Sequence, residues 1–221
     1  NDPRRASLIV AGLQRVHGPV ALIEVGCSAG FGLMLDRYSY RWSAPGRTIS
    51  VDPASGVSPV VLECAVSGWG ANRPRLPQIV WREGIDVNPL DVRTEADSVW
   101  LEALVWPEQS DRLQLVRAAS DIVRSDPPTL VAADAVDEVR AAVQRARIMP
   151  HRFRLERDRE RAAVDPVMVE IHQHQPAREQ LVKHWAPALF AGENLVLVEQ
   201  QQLVRLGPDQ RDLPAAESAV A

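Results

Sequence analysis

The first periodic stretch of the chain places Ile9, Leu13 and Val16 on one face of a helix. Asn1 or Asp2 supplies its cap, Pro3 suits its first turn, and Gly18-Pro19 ends it. The pattern then switches to an unbroken apolar run, Val20-Ala-Leu-Ile-Glu-Val25, with no polar position before Glu24. Bounded by Gly/Pro on one side and Gly26 on the other, so short a run predicts a parallel strand buried on both faces. The turn Gly26-Cys-Ser-Ala-Gly30 follows, and Phe31 to Tyr38 reads as the first turns of a helix. Residues 39–80 are richer in Pro, Gly and Ser, with β-type runs at Thr48–Val51 and Val60–Cys64. They predict an excursion, in hairpin form, before the next core strand.

Two runs, Ile79–Trp81 and Ile85–Val87, lead to Asn88-Pro89, where proline stops a ladder. Thr94 with Asp97 resembles a capping box and opens a helix through Trp100, Leu101 and Leu104 to Pro107. A second helix is predicted from about Glu108 to Arg124, with Leu113, Val116 and Val123 facing inward, closed by Asp126-Pro-Pro128. Leu130–Ala133 is a short strand and Val136–Arg145 a helix. Past residue 147 the character changes. Residues 151–161 are dense in charge, Val167–Ile171 and Leu195–Val198 read as strands, and a helix near Arg178–Trp185 lies between them. The last dozen residues predict a frayed end. Strands alternating with helices imply an α/β fold with a mainly parallel sheet.

Composition adds bounds to this picture. The chain has 221 residues, enough to bury a core without disulfides or metals. With 25 basic and 29 acidic residues its net charge is −4, which argues against coating nucleic acid or anionic membrane. Cys27 and Cys64 make neither a disulfide framework nor a Cys-x-x-Cys pair. No apolar run approaches a membrane span and no leader is visible, so a cytoplasmic, soluble protein is expected. The chain opens on Asn1, not Met, which suggests that its parent begins earlier. All but one of the basic residues are Arg (the exception is Lys183), a bias expected of a GC-rich genome.

The glycine turn carries two chemical readings. In the first, small residues let the backbone pass close to a nucleotide-type ligand, with N–H groups at the helix start available to a carboxylate or phosphate. Class I methyltransferases use such a turn for S-adenosylmethionine. Glu24 matches the acid two before the first glycine, Gly26 and Gly30 match the first and third glycines, and Ser28 replaces the second. In the other reading Gly26-Cys-Ser-Ala-Gly30 is a G-x-S-x-G elbow with Ser28 as an acyl-transfer nucleophile. Asp134 with His172, His174 or His184 would then complete a hydrolase triad. Position opposes this: only 27 residues precede Ser28, and His17-Gly18-Pro19 is no oxyanion loop. A tight turn that binds nothing, in a non-catalytic relic or interaction domain, is the third possibility.

Two further acids favour the nucleotide reading. Asp86 ends one strand and Asp134 another, and the carboxyl ends of parallel strands open onto one crevice. These stretches also resemble a known family. "VALIEVGCSAGFGLMLDRY" at 20–38, "GIDVNPLDV" at 84–92, "WLEALVWPEQSDRL" at 100–113 and "DPPTLVAADAVDEV" at 126–139 are similar to domain of unknown function 2332. "EALVWPEQ" is the most distinctive of these strings. That bacterial family has a methyltransferase-like Rossmann core, and the resemblance covers residues 1–147. It implies a Rossmann-like sheet flanked by helices, present here incompletely; the turn and the acids add S-adenosylmethionine, or a related nucleotide, as the expected ligand of a methyl transfer to an acceptor the sequence does not identify. By that resemblance Asp86 would take the ribose and Asp134 the adenine amino group. Glu24 would orient the turn or the methionine amine, and no catalytic residue can be named. The resemblance ends near residue 147, so 148–221 is expected to be a divergent, or frameshifted, completion of the domain, partly disordered.

Lesser signals have plainer explanations. Glu170, His172 and His174 would share one face of a strand, and with His184 could ligate a transition metal. Such a row is more often the wet face of an edge strand, and no metal is expected. Residues 140–161 hold eight Arg against three acids, which reads as a solvated helical face in preference to an RNA surface. Cys27 is expected to be a buried structural thiol, and Trp81, Trp100 and Trp106 to serve packing.

Overall fold

The computed structural model describes residues 2–14, 16, 18–66, 74–157, 165–170, 195–199 and 202–206. Asp2 caps the chain start by accepting the Arg4 N–H, and a 3-10 turn at Pro3–Arg5 leads into α1 (Ala6–Leu13). The apolar run forms β1 (Pro19–Val25), and two parallel strands flank it. They are β5 (Gln78–Asp86) and β7 (Asp165–Glu170); β6 (Thr129–Ala132) extends the sheet beyond β5. The order is β6-β5-β1-β7, all parallel.

Both faces of the sheet are covered, which is why β1 alternates between two apolar sets rather than between apolar and polar. Ala21, Ile23 and Val25 face α4 (Ala135–Arg157) through Val139, Ala142, Val143 and Ala146. Val20 and Leu22 face α1, the 3-10 segment Phe31–Arg37 and Val116, Ala119 and Val123 of α3 (Ser110–Ser125). The result is a three-layer α/β arrangement. Helix α2 (Glu95–Ala103) precedes α3 and is capped by Thr94, which accepts the Asp97 N–H; α3 leaves the expected Leu113 half-buried.

Three expectations change. Phe31–Arg37 is a 3-10 segment broken at Met34 (φ −98°, ψ 18°), not the start of an α-helix. Its carbonyls are bound from outside: Tyr38 Oη donates to Phe31 O (2.8 Å), Arg82 Nη1 to Leu33 O (2.8 Å) and Tyr40 Oη to Leu35 O (2.5 Å). Those side chains compete with the i→i−4 ladder an α-helix needs. Second, the excursion is a three-stranded sheet, β3 (Arg47–Val51), β2 (Ser39–Ala44) and β4 (Val61–Ala65), antiparallel on one side and parallel on the other. Strand β2 is the one the sequence did not announce. It packs Tyr40 on Trp42 with ring centroids 5.1 Å apart, and Trp42 reaches back to Ser7 O. Third, Ile79–Trp81 and Ile85–Val87 are one strand; it takes in residues 78–80 and stops at Asp86, leaving Val87 exposed.

The helix after β6 runs to Arg157, well past the expected Arg145. The strands expected near 167–171 and 195–198 are β7 and β8 (Leu195–Glu199), and β8 pairs antiparallel with β9 (Gln202–Leu206). The expected helix at 178–185 and the chain end fall outside the described residues. No described helix is long and apolar enough to cross a membrane.

Candidate functional site

Because the four core strands are parallel, their carboxyl ends share one edge, and the glycine turn leaves β1 at that edge. Gly26 (φ 73°) and Gly30 (φ 74°) take left-handed backbone that glycine adopts freely. Ser28 (φ 49°) takes it at a cost of roughly 1 kcal/mol. Four of the turn's N–H groups are used within the fold. Gly26 donates to Ile85 O (2.8 Å), with Cys27 sharing that oxygen at 3.4 Å, and Gly30 donates to Cys27 O (2.7 Å). Ser28 N–H donates to Asp86 Oδ2 (2.7 Å).

Asp86 is thus the keystone of the edge. Its other oxygen accepts the Asn88 N–H (2.9 Å), and Leu90 N–H returns to Ser28 O (3.0 Å). The Asp86 carbonyl accepts Ala133 N–H (2.9 Å), tying in the end of β6. Gly84, two residues earlier, has to lack a side chain: a Cβ there would stand 2.5 Å from Cys27 Sγ and 2.8 Å from Leu130 Cδ2. The expected structural thiol is what Cys27 is, buried and with its pKa pushed up by that burial.

Glu24 does not open onto the crevice. It points with Leu22 toward the 3-10 segment, where a Cβ on Gly32 would lie 2.8 Å from its Cδ and 2.9 Å from Oε2. The side chain is 5% exposed and Oε2 has no hydrogen-bond partner among the described residues. Burial pushes its pKa up to about 8; the positive charge of Arg5 opposes the shift and the negative charge of Asp86 adds to it. Asp134 is exposed and caps α4, its Oδ1 accepting Val136 N–H (2.8 Å) and its carbonyl Glu138 N–H (3.1 Å).

The structure therefore joins Ser28 directly to Asp86, sets Glu24 beneath the turn, and leaves Asp134 two residues past the end of β6, which stops at Ala132. For the hydrolase reading, the acid candidate Asp134 serves as a helix cap, and His172, His174 and His184 lie outside the described residues. The same holds for the histidines of the Glu170 row. Glu170 itself ends β7 in register with Val25, on the same edge. Among the described residues no group of three His, Cys, Asp or Glu could hold a metal.

Sequence reasoning missed the charged middle of β5. Arg82 clamps Asp36 with two bonds of 2.9 and 3.0 Å on one face of the strand. Glu83 on the other face, 2% exposed, receives Arg145 at 2.6 and 3.0 Å, and Arg145 also reaches Glu138. The available signal was Arg-Glu inside an otherwise apolar strand. Charges at such positions are buried only with partners. Trp100 and Trp106 also depart from the packing role expected of them, being 55% and 71% exposed; Trp81 keeps it, half-buried against the α4 side.

No curated protein and no solved structure matches the chain. A bacterial family described as "uncharacterized protein conserved in bacteria" matches residues 1–153, which include the glycine turn, Asp86, the tryptophan-bearing segment and Asp134. The chain belongs to that family, domain of unknown function 2332.

Proposed function

We propose that the parallel sheet and its helices are a Rossmann-like, methyltransferase-type core that binds S-adenosylmethionine at the carboxyl edge for methyl transfer to an acceptor. The observation that carries this reading is the order β6-β5-β1-β7. From β1 the chain builds β5 and β6 to one side and β7 to the other, so the order reverses at β1, where the glycine turn stands. Crevices at such a reversal are where open α/β sheets take ligands.

The donor set narrows the ligand. The turn directs the N–H groups of Gly26, Cys27, Ser28 and Gly30 onto Ile85, Cys27 and Asp86, which leaves it poor in donors for a phosphate. What the edge offers is carboxylates, which favour cationic groups, hydroxyls and amines. S-adenosylmethionine fits: it has no phosphate and carries ribose hydroxyls, an adenine amino group and a cationic sulfonium. When bound it supplies an electrophilic methyl group. Asp86 keeps lone pairs beyond those used by Ser28 and Asn88 and would accept the ribose hydroxyls. Asp134 Oδ2, which accepts nothing from a described residue, would take the adenine amino group. Gly26, exposed and without a side chain, lets the ligand approach the backbone, and Gly30 closes the turn. Glu24 acts from below as a positioning residue on the Gly32 segment. Catalysis would rest on holding acceptor and methyl group in line. Residues beyond 147 complete the same domain through β7.

Calorimetry with S-adenosylmethionine tests this. Wild type should bind, and Asp86→Ala, with its circular dichroism retained, should bind at least about tenfold more weakly, the loss of about 1.4 kcal/mol. A silent wild type sinks the cofactor reading. Labelling of Ser28 by a fluorophosphonate would move the assignment to a hydrolase, and silence in both assays would leave a non-catalytic domain.

A further inference from the structure

Four of the large apolar side chains that are exposed among the described residues fall within one short segment. Val99 (60% exposed), Trp100 (55%) and Leu104 (42%) lie on and at the end of α2, and Trp106 (71%) lies in the turn that follows. Trp100 and Leu104 are four apart and share one stripe of the helix. Only Leu101 of α2 is buried against the core. Tryptophan is costly to leave in water, and contiguous exposed apolar groups of this kind mark contact surfaces.

The charge around the patch says what would cover it. Residues 94–111 include Glu95, Asp97, Glu102, Glu108 and Asp111 and not one Lys or Arg. The arginines nearest in sequence are already spent: Arg93 on Asp91 (2.8 Å), Arg112 on Asp2 (3.4 Å) and Arg117 on Glu102 (2.7 Å). Glu95, Glu108 and Asp111 are exposed and pair with no described residue. An exposed aromatic segment flanked in sequence by unneutralised carboxylates repels nucleic acid and anionic lipid and attracts cations. Guanidinium and ammonium groups are also the cations that stack on tryptophan faces.

We propose that α2 and the turn after it form a docking surface for an arginine- or lysine-bearing peptide segment of another protein. Its apolar side chains seat on Trp100, Leu104 and Trp106, and its cations meet Glu95, Glu108 and Asp111. The surface uses none of the residues assigned to the crevice, so a failure of one assignment leaves the other standing.

Fluorescence anisotropy with a labelled amphipathic peptide of arginine and leucine provides the test. Saturable binding is expected, weakened at least about tenfold in Trp100→Ala/Trp106→Ala. Glu95→Gln/Glu108→Gln should weaken binding and flatten its salt dependence. A peptide with glutamate in place of arginine should not bind. Equal binding to wild type and the tryptophan variant would overturn the proposal by reducing it to bulk charge attraction. Self-association of the wild type in sedimentation velocity, abolished in that variant, would overturn it in favour of a second copy. Binding to vesicles of anionic phospholipid lost in the same variant would overturn it in favour of a membrane. Should the double variant fail to fold, Trp106→Ala alone, at a 71% exposed position outside α2, carries the same comparison.

Discussion

Glu24 is the residue at which burial and chemistry conflict most sharply. A carboxyl enclosed beneath Gly32, with one oxygen unpartnered, is most stable with its proton on, hence its pKa of about 8. The unfolded chain releases that proton near the ordinary value of 4.5. Below the ordinary value both states are protonated and Glu24 costs nothing. As pH rises toward 8 the folded state keeps a proton that the unfolded state has lost, and stability falls by about 1.4 kcal/mol per pH unit, levelling off above 8. Glu24→Gln removes this dependence. Denaturant midpoints of the two proteins should coincide near pH 4.5 and diverge in favour of the variant up to pH 8. Parallel curves would show that Glu24 is charged in the fold. The sequence exposed the position of Glu24 but not its surroundings. Acid-before-glycine left two roles open, orienting the turn or meeting the methionine amine; strand parity and the absent side chain at Gly32 turn the carboxyl inward, under the turn.

Among the elements, β5 shows how a strand is disguised. Its apolar ends were legible, but Arg82-Glu83 interrupted the pattern, because their partners Asp36 and Arg145 are 46 and 62 residues away. Such pairs bind β5 to the 3-10 segment on one face and to α4 on the other. Arg145→Ala leaves Glu83 buried without its counter-charge, and since Arg145 is 40% exposed, water recovers part of the loss. A destabilisation of roughly 2–3 kcal/mol in urea titrations is expected. Replacing both by leucine should restore much of it, and a double variant as weak as Arg145→Ala would refute the buried-charge explanation. The 3-10 segment has the same lesson. Its apolar residues read as a helix, and the tyrosines and arginine that capture its carbonyls come from β2, its flank and β5.

At the scale of the whole molecule, β1 is central because β7 covers its far side, from residues 165–170 beyond the family match. A chain ending at Arg157 keeps the family-matching part but leaves β1 as an open edge of apolar residues. That variant should aggregate or lose cooperative unfolding, and a monodisperse, cooperatively folding product would show β7 to be dispensable. The sequence by itself determined the buried parallel strand, the glycine turn, a cap at Asn1 or Asp2, the cap at Thr94, and the acids at the end of β5 and just after β6. Each of these depends on neighbours within a few residues, through backbone sterics, capping or the period of the apolar pattern. Tertiary structure alone decided that Asp86 holds the turn, that Glu24 is enclosed, that Phe31–Arg37 is not an α-helix, and that Trp100 and Trp106 face water. Those outcomes rest on how separate elements pack, most of them distant in the chain, and a local pattern carries no record of which partners fold against it.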